Sequence, residues 1–313
     1  MRKIDRYAVF NIALKGVLFA AVFFGIYCLI RSLTNIPLIF SLLISAIPGA
    51  AVVLLFSFLL RYTRFYYGYY SFLSRFLYGN SDGKVYCPCC GRHFERFNDE
   101  RYYEDDKHYD PARFSNSRQD VICDCCRSAP RHRIIASWCD KNAGLLKNSK
   151  ILYFAPELSM MLWFKRQGIR VVTADLYDRR ADRKLDITST GLPSGSEDIV
   201  FCNHVLEHVS DYSAALLELN RIIRKGGMLI ISFPIDLELD SVLEEKTSSE
   251  KDRIRLFGQY DHLRVFGKNS KAVLENAGFF VDTINISDMS DDIVPVTGPA
   301  DYDTNMIFCC VKK

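Results

Sequence analysis

Acidic residues are almost absent from the first 80 positions, which contain eight Lys or Arg and a single acid, Asp5. Ile36 to Leu60 contains no charged residue, and Val9 to Ile30 contains only Lys15. Apolar runs of this length predict two membrane-spanning helices. The basic excess lies beside these runs and predicts no stripe on a folded domain, so the composition argues against nucleic-acid binding.

A small-residue cleavage site is also missing after the first apolar run, which disfavours a secretory signal peptide as the alternative. The turn between the runs, Arg31 to Asn35, is so short that the two helices must form a hairpin. Six basic residues border its outer ends: Arg2, Lys3, Arg6, Arg61, Arg64 and Arg75. The positive-inside rule therefore predicts a multi-pass membrane protein with a hairpin at residues 1–64 and both termini in the cytoplasm.

Residues 65–84 form an aromatic juxtamembrane segment. Its eight aromatic residues are Phe65, Tyr66, Tyr67, Tyr69, Tyr70, Phe72, Phe76 and Tyr78. Amphipathic rings favour the headgroup region of a bilayer, so we predict an interfacial belt or a helix that lies on the membrane surface. A substrate-binding aromatic platform is the alternative.

Six of the eleven cysteines lie in two clusters, Cys87-Pro88-Cys89-Cys90 and Cys123-Asp124-Cys125-Cys126. Read as paired C-x-x-C motifs, these clusters predict a structural, tetrahedral zinc site in a zinc-ribbon-like module of residues 85–130. The expected ligands are Cys87, Cys90, Cys123 and Cys126, with Cys89 and Cys125 as possible substitutes. A disulfide framework is the alternative, which a cytoplasmic location disfavours. The segment between the clusters, Arg92 to Asp120, is expected to be a surface excursion.

Short apolar runs alternate with helix-length segments from Ile151 onward. The predicted strands are Ile151–Ala155, Gly168–Ala174, Asp198–Asn203, Met228–Phe233, Phe279–Ile286 and Met306–Lys312. The predicted helices are Ile134–Lys141, Met160–Gln167, Asp211–Lys225 and Ser270–Asn276, and Pro234 to Arg255 is expected to be a lid or surface segment. This alternation predicts an α/β fold with a parallel sheet, whose ligands bind at the carboxyl ends of the strands.

The motifs of this half of the chain resemble those of class I S-adenosylmethionine-dependent methyltransferases. The likeness is carried by the first strand, the acid ending the second, Leu185-Asp186-Ile187-Thr188, Asp198 to Val209 and Arg221 to Gly227. Phe154-Ala155-Pro156-Glu157 and Phe257 to Gly267 are similar to a bacterial-type subfamily with an Ala-Pro-Glu first turn and a Phe-Gly-Gln-x-Asp-His motif. The resemblance implies a Rossmann-like, seven-stranded sheet with a closing antiparallel hairpin, in a domain of residues 131–313.

Cofactor-binding residues are expected at the ends of the first strands. Asp175 lies 18 residues after Glu157, near the spacing of about 20 at which a carboxylate contacts ribose. The resemblance implies that Asp186 and Ile187 contact adenine. The turn Ala155-Pro156-Glu157 lacks the glycine that would give a positive φ. We therefore expect its backbone to approach S-adenosylmethionine differently, with Glu157 receiving the methionine ammonium group.

The segment after the third predicted strand, His204-Val-Leu-Glu-His208, is expected to carry the chemistry. The resemblance implies that Asn203 and His204 lie beside the transferable methyl group, that Glu207 and His208 orient the loop, and that His204 can take a proton from the acceptor. The same letters match the H-x-x-E-H signature of a class of zinc peptidases, which would require a helix here. The strand before this segment disfavours that alternative.

A second loop, Phe257 to Gly267, is expected to form the acceptor-side wall of the site. It contains Gln259, Asp261, His262 and Arg264 in a segment rich in turns. His262 is the candidate catalytic residue of this wall.

The sequence therefore predicts a membrane-anchored methyltransferase with a small-molecule or lipid-linked acceptor, S-adenosylmethionine as its cofactor and a structural zinc ion. A catalytically inactive binding or scaffold protein with the same fold is the alternative, since the glycine-rich turn is missing.

Overall fold

The computed structural model describes residues 6–33, 38–63, 65–78, 82–100, 118–245, 249–284 and 306–313. The chain divides into two compact units, Met1–Gly79 and Asn80–Lys313. Both cysteine clusters belong to the second unit, together with the α/β sheet.

The first unit contains three helices: α1 (Arg6–Leu33), α2 (Leu38–Tyr62) and α3 (Phe65–Leu77). Two of them contain stretches long and apolar enough to cross a membrane, Val9–Ile30 in α1 and Ser41–Tyr62 in α2. The first three residues of the predicted turn, Arg31 to Leu33, belong to α1, and the other two lie outside the described residues. The predicted aromatic segment is helical as far as Leu77.

Close packing at a glycine and contacts of one tyrosine connect these three helices. A Cβ atom on Gly49 would lie 2.9 Å from Cδ2 of Phe19, so α1 and α2 approach too closely there for a larger residue. Tyr69 of α3 donates a hydrogen bond to Oδ1 of Asn11 in α1. The Tyr69 ring also packs edge-on against Phe56 of α2, with ring centroids 5.3 Å apart. The aromatic segment is therefore anchored to both long helices.

The cysteine module begins the second unit with two short antiparallel pairs. The first pair is β1 (Val85–Cys87) with β2 (Arg92–Phe94), and the second is β3 (Asn98–Glu100) with β4 (Arg118–Ile122). The ends of the predicted surface excursion are therefore strands, and residues 101–117 between them lie outside the described residues.

Two helices precede the main sheet, α4 (Pro130–Lys141) and α5 (Ala143–Lys147). The first begins four residues earlier than the predicted Ile134, at a proline. Proline is well suited to the first helical position because its fixed φ is helical and its missing N–H would have no partner there. The extra turn carries Arg131, His132 and Arg133, whose contacts are described below.

A seven-stranded sheet forms the core of the second unit, in the order β12-β13-β9-β8-β5-β6-β7. Its strands are β5 (Ile151–Phe154), β6 (Val172–Asp175), β7 (Arg183–Lys184), β8 (Glu197–Asn203), β9 (Ile223–Ser232), β12 (Phe279–Ile284) and β13 (Ile307–Lys312). β13 runs antiparallel to both of its neighbours, and the other strands are mutually parallel. The α/β methyltransferase fold with its closing hairpin is confirmed.

The remaining elements are α6 (Leu158–Gln167), α7 (Tyr212–Ile222), α8 (Glu250–Phe257), α9 (Ser270–Asn276), β10 (Leu243–Glu244) and β11 (Arg264–Val265). The prediction that α7 continues to Lys225 and ends at Gly226 was wrong. The helix ends at Ile222, because the buried, β-branched Ile223 is extended and pairs with Glu197 at the start of β9. Gly226 instead adopts a φ of 70° within the irregular start of that strand.

The predicted lid or surface segment is partly buried. Ile235 and Asp236 are both buried, and the backbone N–H of Asp236 donates to the carbonyl of Phe266 at 2.8 Å. Its beginning is therefore fixed against the loop that precedes α9.

Candidate active site

The candidate site lies at the carboxyl ends of three adjacent strands, with β5 between β6 and β8. Phe154 at the end of β5 pairs with Ala174 on one side and with Cys202 on the other. The next residue on each strand, Ala155, Asp175 or Asn203, therefore lies at the same level of the sheet edge. This is the position at which open α/β sheets bind their ligands.

Two of the turns at this edge have a left-handed backbone without glycine. The φ angle is 48° at Ala155 and 51° at His204. This conformation costs a side-chain-bearing residue about 1–2 kcal/mol, and such strain concentrates at functional sites. Backbone hydrogen bonds hold both turns, from Ala155 N to Ala174 O at 2.9 Å and from His204 N to Ser232 O at 2.8 Å. The turn at Ala155 therefore adopts the positive φ expected of a glycine although it contains no glycine.

The Glu157 carboxylate is held by two side chains of α4. Arg131 Nη2 donates to Oε1 at 3.0 Å, and His132 Nε2 donates to the same oxygen at 2.5 Å. His132 must donate through Nε2, because its Nδ1 accepts from the backbone N–H of Ala129 at 2.8 Å. Burial alone would raise the pKa of Glu157, but His132 and Arg131 outweigh it and hold this pKa well below its usual range.

Tyr153 is the third side chain that contacts Glu157. Its hydroxyl donates to Oε2 of Glu157 at 3.3 Å, and its ring is fully buried. Burial and the neighbouring Glu157 charge raise the pKa of Tyr153 well above its usual value, so it stays a neutral donor. The predicted ammonium-binding carboxylate is thus already engaged by three side chains of the protein itself.

The two acids expected to contact the nucleoside accept hydrogen bonds from residues two or three positions later in the chain. Asp175 Oδ1 accepts from the N–H groups of Tyr177 and Asp178 at 2.7 and 2.8 Å, which leaves Oδ2 directed away from these bonds. Asp186 Oδ1 accepts from both N and Oγ1 of Thr188, at 2.9 and 2.7 Å. Asp186 is exposed, whereas Ile187 is buried in the main apolar cluster.

Polar atoms without partners face the site from the end of β8. Asn203 is buried, and its Oδ1 accepts from Ser232 Oγ at 3.0 Å. Asn203 Nδ2 and His204 Nε2 are buried and have no hydrogen-bond partner among the described residues. Buried polar groups are nearly always satisfied, so such atoms indicate a place where a ligand binds.

Glu207 lies behind His204 and is fully buried. His204 Nδ1 is 3.1 Å from Glu207 Oε1, within ion-pair distance. Burial would raise the pKa of Glu207, but His204, followed by His262 and His208, lowers it to about 2. Burial and then Arg131 lower the pKa of His204, although Glu207 opposes them, which favours a neutral imidazole at neutral pH.

The segment from His204 to His208 forms a turn and not a helix. His204 and His208 therefore do not share a helical face, which is the arrangement that the zinc peptidase alternative required.

The loop from Phe257 to Gly267 approaches this turn, but its residues differ in role. Arg264 is fully buried and donates to the carbonyl of Leu206 at 2.7 Å, to that of Ser210 at 3.0 Å and to that of Val209. It also donates to Glu244 at 2.8 Å. Arg264 therefore positions the turn after β8 and is not part of an exposed acceptor wall.

His262 is the residue of this loop that approaches Glu207. It is buried, its Nδ1 donates to the carbonyl of Phe257 at 2.9 Å, and its ring centroid lies 4.8 Å from that of His208. Burial lowers the pKa of His262, although the charge of Glu207 opposes this shift. The sequence analysis predicted His262 as a site residue but did not predict that it lies within 4.8 Å of Glu207.

The four cysteines predicted as zinc ligands lie together in the cysteine module that precedes α4. Single sulfur atoms of Cys87, Cys90, Cys123 and Cys126 all lie within 4.8 Å of one another. The Cys87–Cys126 and Cys90–Cys123 sulfur pairs are 3.6 and 3.8 Å apart. Tetrahedral zinc with bonds of about 2.3 Å would separate its sulfurs by about 3.8 Å.

The two cysteine turns share one backbone design. Gly91 N donates to Cys87 O at 2.8 Å, and Arg127 N donates to Cys123 O at 2.9 Å. Both donors have positive φ angles, 70° and 60°. The alternative ligands make other contacts: Cys89 donates to the carbonyl of His132 at 3.4 Å, and Cys125 accepts from Arg92 at 3.2 Å. None of the eleven cysteines, all of which lie in the described part of the chain, forms a disulfide.

Helix α4 connects this cysteine cluster to the first turn of the sheet. Its buried Arg133 donates to the carbonyls of Val121 and Ser128, both at 2.8 Å. Arg131 and His132, immediately before it, bind Glu157. Helix α4 therefore contacts both the cysteine module and the residue that follows the turn at Ala155 and Pro156.

Residues 159–231 match the sequence model of a family described as "Methyltransferase domain", which covers less than half of the chain. Among solved structures, an S-adenosylmethionine-dependent methyltransferase from Archaeoglobus fulgidus is 15% identical, with 57% of this chain and 94% of that chain covered and a TM-score of 0.37. A corresponding enzyme from Mesorhizobium loti is 14% identical, with 56% and 97% covered and a TM-score of 0.38.

A third structure is Burkholderia thailandensis 1,6-didemethyltoxoflavin-N1-methyltransferase, with bound 1,6-didemethyltoxoflavin and S-adenosylhomocysteine. It is 13% identical, with 57% of this chain and 78% of that chain covered and a TM-score of 0.38. No curated protein matches the chain. The fold assignment rests on the strand order and the family match, and not on these distant structures.

Proposed function

We propose that this protein is a membrane-anchored S-adenosylmethionine-dependent methyltransferase. The observation that carries the proposal is the edge at which Ala155, Asp175 and Asn203 lie level, with unsatisfied nitrogen atoms on Asn203 and His204. A sheet of this order with buried, unpartnered polar atoms at its carboxyl edge is suited to binding a ligand and not to packing alone.

The residues present fit the cofactor. Asp175 offers a carboxylate oxygen to the ribose hydroxyls, because its backbone bonds use Oδ1. The left-handed turn at Ala155 supplies the positive φ that a glycine would give. Asp186 and Ile187 are the candidates for the adenine end. Glu157, which is already bound by Arg131 and His132, fixes the shape of the turn and leaves the ammonium group to other oxygen atoms.

S-adenosylmethionine, when bound, supplies an electrophilic methyl group on a sulfonium ion. The chain's own task is then to position an acceptor in line with that group and to take up a proton where one is released. His204 suits this role because Nδ1 contacts Glu207 and a neutral Nε2 can accept a proton. Asn203 Nδ2 can hold an acceptor oxygen, and His262 lies behind Glu207 as a second imidazole.

We also propose that Cys87, Cys90, Cys123 and Cys126 bind one structural zinc ion. Two sulfur–sulfur distances of 3.6 and 3.8 Å and the matched turns at Gly91 and Arg127 support this assignment. Zinc bound there would stabilise the module that α4 connects to the first turn of the sheet.

The membrane anchor and the acceptor are the remaining parts of the proposal. Two long apolar helices, α1 and α2, support a two-span anchor. The charge asymmetry of the sequence supports cytoplasmic termini, which would place the site where S-adenosylmethionine is held. An anchored site of this kind suits a small-molecule or lipid-linked acceptor near the membrane. An inactive scaffold with the same fold is the competing function, and its support is the missing glycine turn.

Calorimetry with S-adenosylhomocysteine tests cofactor binding. We expect the full-length protein to bind it and Asp175→Ala to weaken binding by about ten- to more than a hundredfold, because a charged hydrogen bond contributes about 1.5–3 kcal/mol. Asp282→Ala is the matched control, since Asp282 is exposed on β12 at the opposite edge of the sheet. No binding to the unaltered protein, or equal loss in both variants, would contradict the proposal.

A further inference from the structure

We propose that Glu207, His208 and His262 form a second metal site, which binds a divalent transition-metal ion. One potential ligand atom from each of these residues lies within 4.8 Å of the other two. The site is separate from the cysteine cluster, and it does not depend on methyl transfer for its existence.

The buried carboxylate of Glu207 is the first observation that points to a cation. Its side chain is fully buried, and neither oxygen has a hydrogen-bond partner among the described residues. Its ion-pair contact with His204 involves Oε1 and leaves Oε2 uncontacted among the described residues. Oε2 of this buried carboxylate has no contact with a donor among the described residues, which is costly, and a metal ion is one of the few groups that can compensate for it.

The orientation of His262 is the second observation. Its Nδ1 donates to the carbonyl of Phe257 at 2.9 Å, which assigns the proton to Nδ1 and leaves the lone pair on Nε2. Metal-binding histidines are typically fixed in this way, by a hydrogen bond from the nitrogen that does not bind the metal.

His208 repeats the same arrangement at the rim of the site. Its Nδ1 lies 3.2 Å from the carbonyl oxygen of Asp261 and 3.4 Å from the Asp261 carboxylate. A carboxylate behind a histidine orients the ring and increases its basicity as a ligand. His208 thus also leaves Nε2 as the nitrogen available for a metal.

The backbone fixes the two loops that supply these ligands. Leu263 N donates to the carbonyl of Glu207 at 2.8 Å, so the residue beside His262 is bonded to the residue that carries the carboxylate. Arg264 adds hydrogen bonds to Leu206 and Ser210 on either side. The ligands are therefore held in position before any ion binds, which favours binding.

The ligand set determines the class of metal. Two imidazoles and one carboxylate suit divalent iron, cobalt, manganese or zinc, whereas magnesium and calcium favour oxygen ligands. Three protein ligands leave coordination positions open for water or for an oxygen atom of another molecule. The cysteine cluster differs, because four thiolates complete a tetrahedral site.

Cobalt titration separates the two sites in the full-length protein, after metal removal under reducing conditions. Thiolate-bound Co²⁺ has intense charge-transfer absorption, whereas Co²⁺ bound by imidazole and carboxylate shows weak ligand-field bands. We expect one equivalent of each kind. His208→Ala should remove the second equivalent or weaken it at least about tenfold, and should leave the thiolate-type equivalent unchanged.

His208 suits this test because it lies at the half-exposed rim, so its loss should leave the fold intact. Glu207→Gln is a second variant of equal size, and it should also remove the second equivalent. His93→Ala is the matched control, since His93 is an exposed histidine of β2. A wild-type protein that binds only the thiolate-type equivalent would overturn the proposal, as would unchanged binding of the second equivalent by His208→Ala.

Discussion

The cysteine cluster and the turn at Ala155 are both built on left-handed backbone positions, but they are held in different ways. Each cysteine turn closes on itself, with Gly91 bonded to Cys87 and Arg127 bonded to Cys123. The Ala155 turn is flanked by Glu157, whose partners Arg131 and His132 lie 26 and 25 residues earlier in the chain. A local motif can therefore be read from spacing, whereas a turn supported from a distant helix cannot.

The largest effect on stability should come from disrupting the cysteine cluster. Changing Cys87 and Cys126 together to serine should abolish zinc binding and leave the full-length protein prone to aggregation, because structural zinc contributes about 10–16 kcal/mol in small zinc modules. Elemental analysis and limited proteolysis measure both outcomes. Cys125→Ser is the matched control and should keep its metal, since Cys125 contacts Arg92 instead. Full zinc content in the double variant would contradict the ligand assignment.

Loss of the contacts that Arg131 and His132 make with Glu157 should have an intermediate effect on stability, and this effect should depend on pH. The folded-state pKa of Glu157 is lowered, so its stabilisation is fully present above the usual carboxyl pKa and is lost as the pH falls through the lowered value. Glu157→Gln should therefore lower the free energy of unfolding at neutral pH by about 1.5–3 kcal/mol. This deficit should shrink in acid, where the wild-type carboxylate also becomes protonated.

Chemical denaturation at a series of pH values measures this deficit directly. Glu238→Gln is a suitable control, because Glu238 is exposed and should show no deficit at any pH. A deficit of Glu157→Gln that stays constant from neutral to acidic pH would mean that the Arg131 and His132 contacts do not support the turn.

The smallest effect concerns the turn itself. Ala155→Gly removes the steric cost of a φ of 48° and should stabilise the protein by about 1 kcal/mol. The same change at Ala214, in helix α7, should destabilise it by about 0.5–1 kcal/mol. Thermal unfolding of both variants gives the comparison its sharpest form, since the two signs should be opposite. Destabilisation by Ala155→Gly would indicate that the turn carries no strain.

The sequence predicted the parts of the fold that depend on buried apolar runs. β5 and β8 lie close to their predicted bounds because their residues are almost all buried, and α9 does so because its buried Ser270 and Leu274 are one helical turn apart. β7 was missed, since Arg183 and Lys184 are exposed and carry no apolar signal. The end of α7 was misplaced because Gly226 looked like a helix terminator, while burial of Ile223 had more influence.

The residues of the candidate site could be predicted from the sequence, but the contacts between them could not. Spacing after the strands identified Asp175, Asn203 and His204, which the strand register brings to one edge. No local pattern indicated that Arg264 holds the turn after β8 from a position 54 to 58 residues later. The roles of Glu207 and His262 were hidden for the same reason, since their proximity depends on the approach of two separate loops.

Transfer of a labelled methyl group is the most direct test of the proposed enzyme. Full-length protein in membranes of its source cell would be incubated with methyl-labelled S-adenosylmethionine, and label would be counted in lipid, small-molecule and protein fractions. We expect label in the lipid or small-molecule fraction with the wild-type chain and at least about a hundredfold less with His204→Ala, a loss typical for removal of a general base. A wild-type chain that binds S-adenosylhomocysteine but transfers no label to any fraction would contradict the proposal and favour the inactive scaffold.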